Sequence, residues 1–85
     1  MITRDVLMDW VLEALRDLGG QGSVLDVSKR VWQRHGQELQ KADDLFYTWQ
    51  YDLRWAAQKL RNAGKLKPVD DQRGLPWTLA EHKPS

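Results

Sequence analysis

The stretch from Tyr51 to Leu79, YDLRWAAQKLRNAGKLKPVDDQRGLPWTL, decides the fold. Its first part has the apolar spacing of an amphipathic helix, and Ala63-Gly64 ends that pattern because glycine readily takes the left-handed conformation beyond a helix. Two short segments with strand character follow, at 66–69 and 76–79, and the turn between them has its glycine late. The stretch therefore predicts a helix that leads directly into a β-hairpin.

Positive charge is concentrated in the same part of the chain. Residues 51–85 carry seven basic and four acidic side chains, whereas residues 1–50 carry six basic and eight acidic ones, and the net charge is +1. Five basic side chains follow one another with no acidic residue between them: Arg54, Lys59, Arg61, Lys65 and Lys67. A positive potential confined to one half of a small domain favours a polyanionic partner.

A helix and a short strand open the chain. The apolar spacing predicts the first helix over about 3–18, with Thr3 as its N-cap. Gly19-Gly20 ends this helix, because glycine takes the left-handed conformation without a Cβ penalty. Residues 21–24 are short and can pair as a single edge strand.

Two more helices follow. The second is predicted over about 25–35 and stops at Gly36, although Ser23 and Asp26 resemble a capping pair that would shift its start by one or two residues. The polar residues after it form a loop or a single helical turn. The third helix is predicted over about 45–63. Its apolar face comprises Phe46, Trp49, Leu53, Ala56, Ala57, Leu60 and Ala63.

The order of elements is helix, strand, helix, helix, strand, strand, which is the order of a winged helix-turn-helix. We therefore expect an α+β fold with three helices, a short strand and a C-terminal two-stranded wing at about 65–80. The chain is short enough for one domain, residues 1–85, with a frayed polar tail at 81–85. Five tryptophans help so small a core to bury enough area.

The composition argues against several classes of protein. The absence of cysteine excludes a disulfide scaffold and a thiolate zinc site. His35 and His82 are isolated from each other, so we expect no metal and no cofactor. Apolar runs are far shorter than a membrane span, and the N-terminal region is interrupted by Asp5 and Asp9, so we expect a cytoplasmic protein that does not enter membranes.

One pattern has the form of a catalytic motif. Asp70, followed by Glu81-His82-Lys83, has the D…E-x-K spacing of metal-dependent nucleases. That chemistry needs carboxylates held on adjacent strands around a divalent ion, whereas these residues fall on a turn and on the tail. No serine or threonine has an evident base partner, and no glycine-rich phosphate loop is present. We expect neither an enzyme nor a small-molecule substrate.

Four segments carry a resemblance to a known family. They are Leu15-Arg16-Asp17-Leu18-Gly19-Gly20, the pattern V-x-D-V-x-x-x-V from Val24 to Val31, the run W-A-x-x-x-L-x-x-A-G-x-L from Trp55 to Leu66, and Trp77-x-Leu79-x-Glu81. Over nearly its whole length the chain resembles the N-terminal winged-helix domain of Mrr-type restriction endonucleases. The resemblance implies a domain that binds double-stranded DNA and, in that family, delivers a separate nuclease domain.

The side chains opposite the apolar face of the third helix suit a DNA-reading role. Arginine can bind guanine through two hydrogen bonds, glutamine can read adenine, and lysines can meet phosphates. Arg73 lies at the predicted hairpin tip, where a basic side chain can enter the minor groove, but Asp70-Asp71 offset its charge. The expected DNA-binding residues are Thr48, Tyr51, Arg54, Gln58, Lys59, Arg61, Lys65, Lys67 and Arg73. Such a module would act as a regulator or an accessory domain, and dimerisation is a natural expectation.

A second interpretation is a protein-interaction module that does not bind DNA. The near-neutral net charge and the acidic pairs at 43–44 and 70–71 favour it. The third helix also carries Tyr47, Tyr51 and Trp55, and aromatic side chains are typical anchors of protein interfaces. In this interpretation the domain self-associates or captures a partner protein through the third helix.

Overall fold

The computed structural model describes residues 3–68 and 76–80. Its elements are α1 (Val6–Asp17), β1 (Gln21–Gly22), α2 (Val24–Lys41), α3 (Asp44–Asn62) and β2 (Trp77–Thr78). The described part of the chain thus contains three helices and a two-stranded antiparallel sheet. This confirms the predicted α+β class.

The sheet joins the first half of the chain to the last. β1 runs antiparallel to β2, and Gly22 lies opposite Trp77. An isolated bridge joins Leu66 to Leu79 on the other side. Residues 77–79 therefore lie between β1 and the segment that follows α3, which brings the end of α3 against the sheet.

The strand predictions are met in part. Of residues 21–24, Gln21–Gly22 form a strand. Of residues 66–69, Leu66 forms the bridge, and the backbone N–H of Lys67 donates to the carbonyl of Thr78 over 2.9 Å. The predicted turn at 70–74, with Arg73 and Asp70-Asp71, and the predicted tail at 81–85 lie outside the described residues.

The core is formed by the inner faces of the helices and is closed by the sheet. Its fully enclosed side chains come from every helix, and Leu66, Trp77 and Leu79 cover one end. Members from the helices are Leu7, Trp10, Val11, Ala14, Leu15, Val27, Val31, Leu39, Leu45, Trp49, Leu53, Ala56, Ala57 and Leu60. Three of the five tryptophans are therefore core residues, Trp55 packs at the margin of the core, and Trp32 remains exposed.

Two helices end in the same glycine motif, as the sequence predicts. After α1, the N–H of Gly20 donates to the carbonyl of Leu15 over 2.7 Å, and Gly19 has a φ of 86°. After α3, the N–H of Lys65 donates to the carbonyl of Leu60 over 2.8 Å, and Gly64 has a φ of 77°. The left-handed glycine turns the chain so that these amide groups satisfy the last helical carbonyls.

The helix starts differ slightly from prediction. The prediction that Thr3 is the N-cap of the first helix is wrong. α1 begins at Val6 with Asp5 as its N-cap, because residues 4 and 5 form a turn in which the carbonyl of Thr3 accepts from the N–H of Val6 over 3.1 Å. α2 begins at Val24, and the Ser23 hydroxyl accepts from the N–H of Asp26 over 3.0 Å. The predicted capping pair is thus confirmed in its serine half.

The prediction that Gly36 stops the second helix is wrong. α2 continues to Lys41, and the expected loop shrinks to Ala42 and Asp43 before α3 begins. Gly36 is buried, and a Cβ built on it would lie 3.3 Å from the indole ring of Trp32. Glycine here provides room for a tryptophan on its own helix, whereas Gly19 and Gly64 reverse the chain.

The apolar face of α3 is confirmed at its centre and wrong at its ends. Trp49, Leu53, Ala56, Ala57 and Leu60 are buried. Phe46 is 37% exposed and Ala63 is exposed, while Leu45 is buried in their place. Phe46 faces outward into an open groove between α2 and α3.

Candidate nucleic-acid-binding surface

The side of α3 away from the core forms one continuous exposed strip. Five side chains, spaced three or four residues apart, lie along it and define the α3 outer face: Tyr47, Tyr51, Arg54, Gln58 and Asn62. Tyr47 is 83% and Tyr51 80% exposed. Three of the predicted DNA-binding residues therefore lie together on a solvent-facing helix surface.

The side chains of this face differ in whether hydrogen bonds fix them. Gln58 Nε2 donates to Asn62 Oδ1 over 3.1 Å, so the two amides present a joined donor and acceptor edge. Arg54 makes no hydrogen bond or ion pair with any described residue, so its guanidinium is available to a ligand. Amide pairs and guanidinium groups are the side chains that read base edges.

Thr48 lies at the margin of the strip and is already engaged. Its hydroxyl donates to Asp52 Oδ2 over 2.8 Å. A carboxylate beside the hydroxyl repels a phosphate, so this edge of α3 is the least suited to a nucleic-acid backbone. Among the predicted contact residues that the structure describes, Thr48 is the one whose surroundings disagree with the role.

Lys59 lies on the same side of α3 as Trp55. Its ammonium is 5.9 Å from the Trp55 ring centroid, and the Arg4 guanidinium lies 4.1 Å from the same centroid. Trp55 is half-buried, with its ring faced by cations from two parts of the chain. Arg4 is not among the residues predicted for this surface, because the turn before α1 comes close to α3 only in the folded chain.

Arg61 lies where α3 meets the sheet. Its guanidinium is 6.0 Å from the Trp77 ring centroid and is partly buried. Burial lowers the pKa of the Arg61 guanidinium from its usual range, although arginine remains charged at neutral pH. The packing holds Arg61 more firmly than a free surface arginine.

Lys65 and Lys67 flank the buried Leu66 and are both exposed. Because alternate residues of an extended segment point to the same side, the two ammonium groups share one surface. The backbone fixes this segment, since the N–H of Lys67 donates to Thr78 and the carbonyl of Lys65 accepts from Ala80 over 3.0 Å. We call this segment the basic root. Arg73, the remaining predicted contact residue, is outside the described residues.

The basic side chains of α2 are largely used within the molecule. Arg34 and Arg30 both bind the carboxylate of Asp17, and Arg30 Nε lies 3.0 Å from Asp17 Oδ2. The hydrogen bonds from Arg34 and then Arg30 hold the pKa of Asp17 below its ordinary value of 3.8, and Asp17 in turn raises the pKa of Arg34. Lys29 makes no ion pair with any described residue. The pairing of Asp17 with these arginines could not be predicted from the sequence, because the residues lie on different helices and far apart in the chain.

A histidine between two carboxylates completes this α1–α2 contact. The His35 ring stacks on Trp10 with centroids 3.9 Å apart and planes 4° apart. His35 Nε2 lies 2.7 Å from Glu13 Oε1, and Nδ1 lies 3.0 Å from Glu38 Oε1. These groups bind one another across the helix pair, and they lie on α1 and α2 rather than on the α3 outer face.

The described residues 3–68 and 76–80 contain no group of three or more side chains placed to hold a metal ion. In the same part of the chain, no helix has the length and apolar character to cross a membrane. No protein-family model, curated protein sequence or solved structure matches this chain.

Proposed function

We propose that this chain is a winged-helix module that binds double-stranded DNA, as a regulator or as an accessory domain of another protein. The observation that carries this proposal is the α3 outer face, on which Arg54 and Gln58 are exposed, together with the exposed cations of the basic root that follows α3. The antiparallel pairing of residues 77–79 with β1 and Leu66 supports a wing that follows α3.

In the proposed complex, α3 enters the major groove along its outer face. Arg54 and Gln58 reach base edges, and Tyr51 contacts bases or sugars. Lys59, Lys65 and Lys67 bind phosphates, which position the helix without reading sequence. Arg61 supports this edge through its packing on Trp77 and contributes charge to the same surface.

Fluorescence anisotropy with a labelled random-sequence duplex tests the proposal. We expect binding at low ionic strength that weakens steeply as salt rises, because the protein displaces counterions from the phosphates. On a preferred sequence selected from a pool of random duplexes, Arg54→Ala should weaken binding by roughly 1–3 kcal/mol. Absence of binding at low salt, or affinity that does not change with salt, would refute DNA binding.

Lys41→Ala is the matched control for these measurements. It also removes one exposed cation, but it lies at the end of α2 that precedes α3. α3 is about 28 Å long at 1.5 Å per residue, so Lys41 is separated from the basic root by most of that length. We expect Lys41→Ala to bind nearly as well as the unmodified protein.

The exposure of Tyr47 and Tyr51 favours one alternative, self-association or capture of a partner protein through the α3 outer face. Two tyrosines at 83% and 80% exposure could anchor an interface. Sedimentation velocity over a range of concentrations separates the two functions. A dimer that Tyr47→Ser and Tyr51→Ser abolish, together with no DNA binding, would favour the alternative.

A further inference from the structure

An open groove runs between α2 and α3, on the side of α3 next to its outer face. Six of its lining residues define what we call the α2–α3 groove: Leu25, Lys29, Trp32, Phe46, Trp49 and Arg54. The three α2 members recur at spacings of four and three residues, so they form one stripe along the helix. The groove is thus a shared surface of two helices rather than an isolated hollow.

The walls of the groove are apolar and face solvent. Leu25 is 62%, Trp32 39% and Phe46 37% exposed, and all three line this groove. Large apolar side chains that cluster on the surface of a small domain typically mark an interaction site. Their clustering in one groove distinguishes them from single exposed apolar residues, which need no explanation.

The floor of the groove is preformed. Trp32 stacks on Trp49 with ring centroids 5.9 Å apart and planes 14° apart. The Trp32 ring also lies across Gly36, where the absence of a side chain makes room for it. Because Trp49 belongs to the core, the exposed Trp32 ring is held by a buried partner. A ligand would meet an aromatic surface, formed by Trp32 and Trp49, that is already ordered, which lowers the entropic cost of binding.

The charge of the groove is of one sign. Its charged lining residues are Lys29 and Arg54, and neither forms an ion pair with another described residue. The first turn of α2, beginning at Val24, also lines the groove, and the N-terminal end of a helix favours negative charge. An apolar surface bordered by unpaired cations complements a ligand with apolar anchors and carboxylates.

We propose that the α2–α3 groove binds an acidic amphipathic helix of a partner protein. A groove walled by side chains of two helices suits the helix-in-groove mode, in which apolar side chains three or four residues apart enter the groove. Carboxylates along the edges of that helix would pair with Lys29 and Arg54. Leu25, Lys29 and Trp32 lie on α2, so partner binding does not require that α3 bind DNA, but Arg54 belongs to both surfaces, and a bound partner helix would compete with DNA for it.

Two other occupants fit the groove less well. A second copy related by a two-fold axis would bring the cations Lys29 and Arg54 of each copy towards those of the other, which costs energy in an isologous interface. A nucleic-acid backbone would place phosphates against Leu25, Trp32 and Phe46, which offer it little hydrogen bonding. Carboxylates carried on an apolar helix avoid both penalties.

The test is a selection from a phage library of random peptides of about 16 residues, long enough for four helical turns. The library is selected on the full chain after counter-selection on Leu25→Glu. We expect enriched sequences with aliphatic or aromatic residues three or four apart and with Asp or Glu between them. No enrichment, or enrichment of basic or uncharged sequences, would overturn the proposal.

The selected consensus peptide then locates the site. We expect its affinity to fall by roughly tenfold or more on Leu25→Glu and on Lys29→Glu, with both variants still folded by circular dichroism. A peptide whose acidic residues are replaced by lysine should regain affinity for Lys29→Glu. NMR shifts on binding should centre on the Trp32 indole N–H and Leu25. Peptide binding that ignores both substitutions would place it elsewhere and contradict the proposal.

The same NMR signals decide between occupants. Shifts of the Trp32 indole N–H with duplex DNA that Leu25→Glu abolishes would assign the groove to DNA and overturn the partner-helix proposal. Concentration-dependent shifts without any ligand, lost in Leu25→Glu, would assign it to a second copy and also overturn it. Loss of peptide binding in Lys29→Glu with DNA affinity retained would support the proposal, because it would show that the α2 side of the groove binds the peptide and is not needed for DNA.

Discussion

At the scale of single residues, Asp17 connects α1 to α2 through two arginines. Arg34 and Arg30 hold its pKa below the ordinary value of 3.8, so the folded state prefers the ionised carboxylate more than the unfolded state does. The resulting stabilisation is complete above the unfolded pKa and is lost as the pH falls through the folded pKa. Asp17 therefore contributes to acid sensitivity although it lies at the surface.

We predict that Asp17→Asn will reduce the pH dependence of stability in that window. The unmodified protein should lose melting temperature as the pH drops below 3.8, and Asp17→Asn should lose less over the same range, because it has no ionised form to protonate. Circular dichroism melts at neutral and acid pH measure the difference. Asp26→Asn is a suitable control. Equal acid sensitivity in the unmodified protein and Asp17→Asn would contradict the prediction.

Gly64 makes the turn from α3 to the basic root, and its backbone requires glycine. Its φ is 77°, and a Cβ at this position would meet no atom within 4 Å. Gly64→Ala therefore adds conformational strain without a clash, and we expect it to destabilise the fold by about 1–2 kcal/mol. Gly64→Asn should cost less, because asparagine tolerates the left-handed region. Urea unfolding measures both, and an unchanged midpoint for Gly64→Ala would contradict the assignment.

At the scale of elements, the sequence predicts helix ends well where local geometry determines them. Gly19 and Gly64 end helices because the chain changes direction there. The apolar periodicity of the sequence stops at the same positions, so these helix ends can be predicted. Gly36 gives the same signal in the sequence, yet α2 continues through it. The Trp32 ring, four residues earlier, lies against Gly36, and Leu39, three residues later, is buried. Tertiary packing decides this case, and no local pattern contains that information.

The candidate site divides in the same way. Exposure of Arg54, Gln58 and Tyr51 follows from helical periodicity, and the structure places all three on the exposed side of α3. The hydrogen bond from Thr48 to Asp52 could also have been predicted from the sequence, since the two residues are four apart on one helix. The pairing of Arg34 with Asp17 could not, because the two residues meet only when α1 and α2 pack.

We predict that Gly36→Ala will test the continuity of α2. Alanine is favoured over glycine within a helix by about 1 kcal/mol, but its Cβ would lie 3.3 Å from the Trp32 ring. Because the stack on buried Trp49 holds the Trp32 ring in place, the ring yields little to the new Cβ, so we expect a net destabilisation and a shift in tryptophan fluorescence. Urea unfolding and emission spectra measure the two effects. Stabilisation would mean that the Trp32 ring moves outward and that the stack on Trp49 does not hold it in place.

At the scale of the whole molecule, the cations differ in whether they are paired with carboxylates. Arg30 and Arg34 pair with Asp17 between α1 and α2. Arg54, Lys65 and Lys67 are exposed along α3 and the basic root, and they make no ion pair with a described residue. A net charge of +1 thus conceals a surface, along α3 and the basic root, where positive charge makes no ion pair with a described residue. The distribution of charge, rather than its total, bears on partner choice.

This distribution gives a prediction about salt dependence. If the basic root binds phosphates, the double substitution Lys65→Gln with Lys67→Gln should reduce the slope of log affinity against log salt by about two. Arg30→Gln with Arg34→Gln removes the same charge and should change the slope little, because those arginines already pair with Asp17. Arg73→Gln should matter less than either lysine, since Asp70-Asp71 precede it closely in the chain. Equal losses from the arginine and lysine pairs would mean that net charge alone governs binding, and would contradict phosphate binding at the basic root.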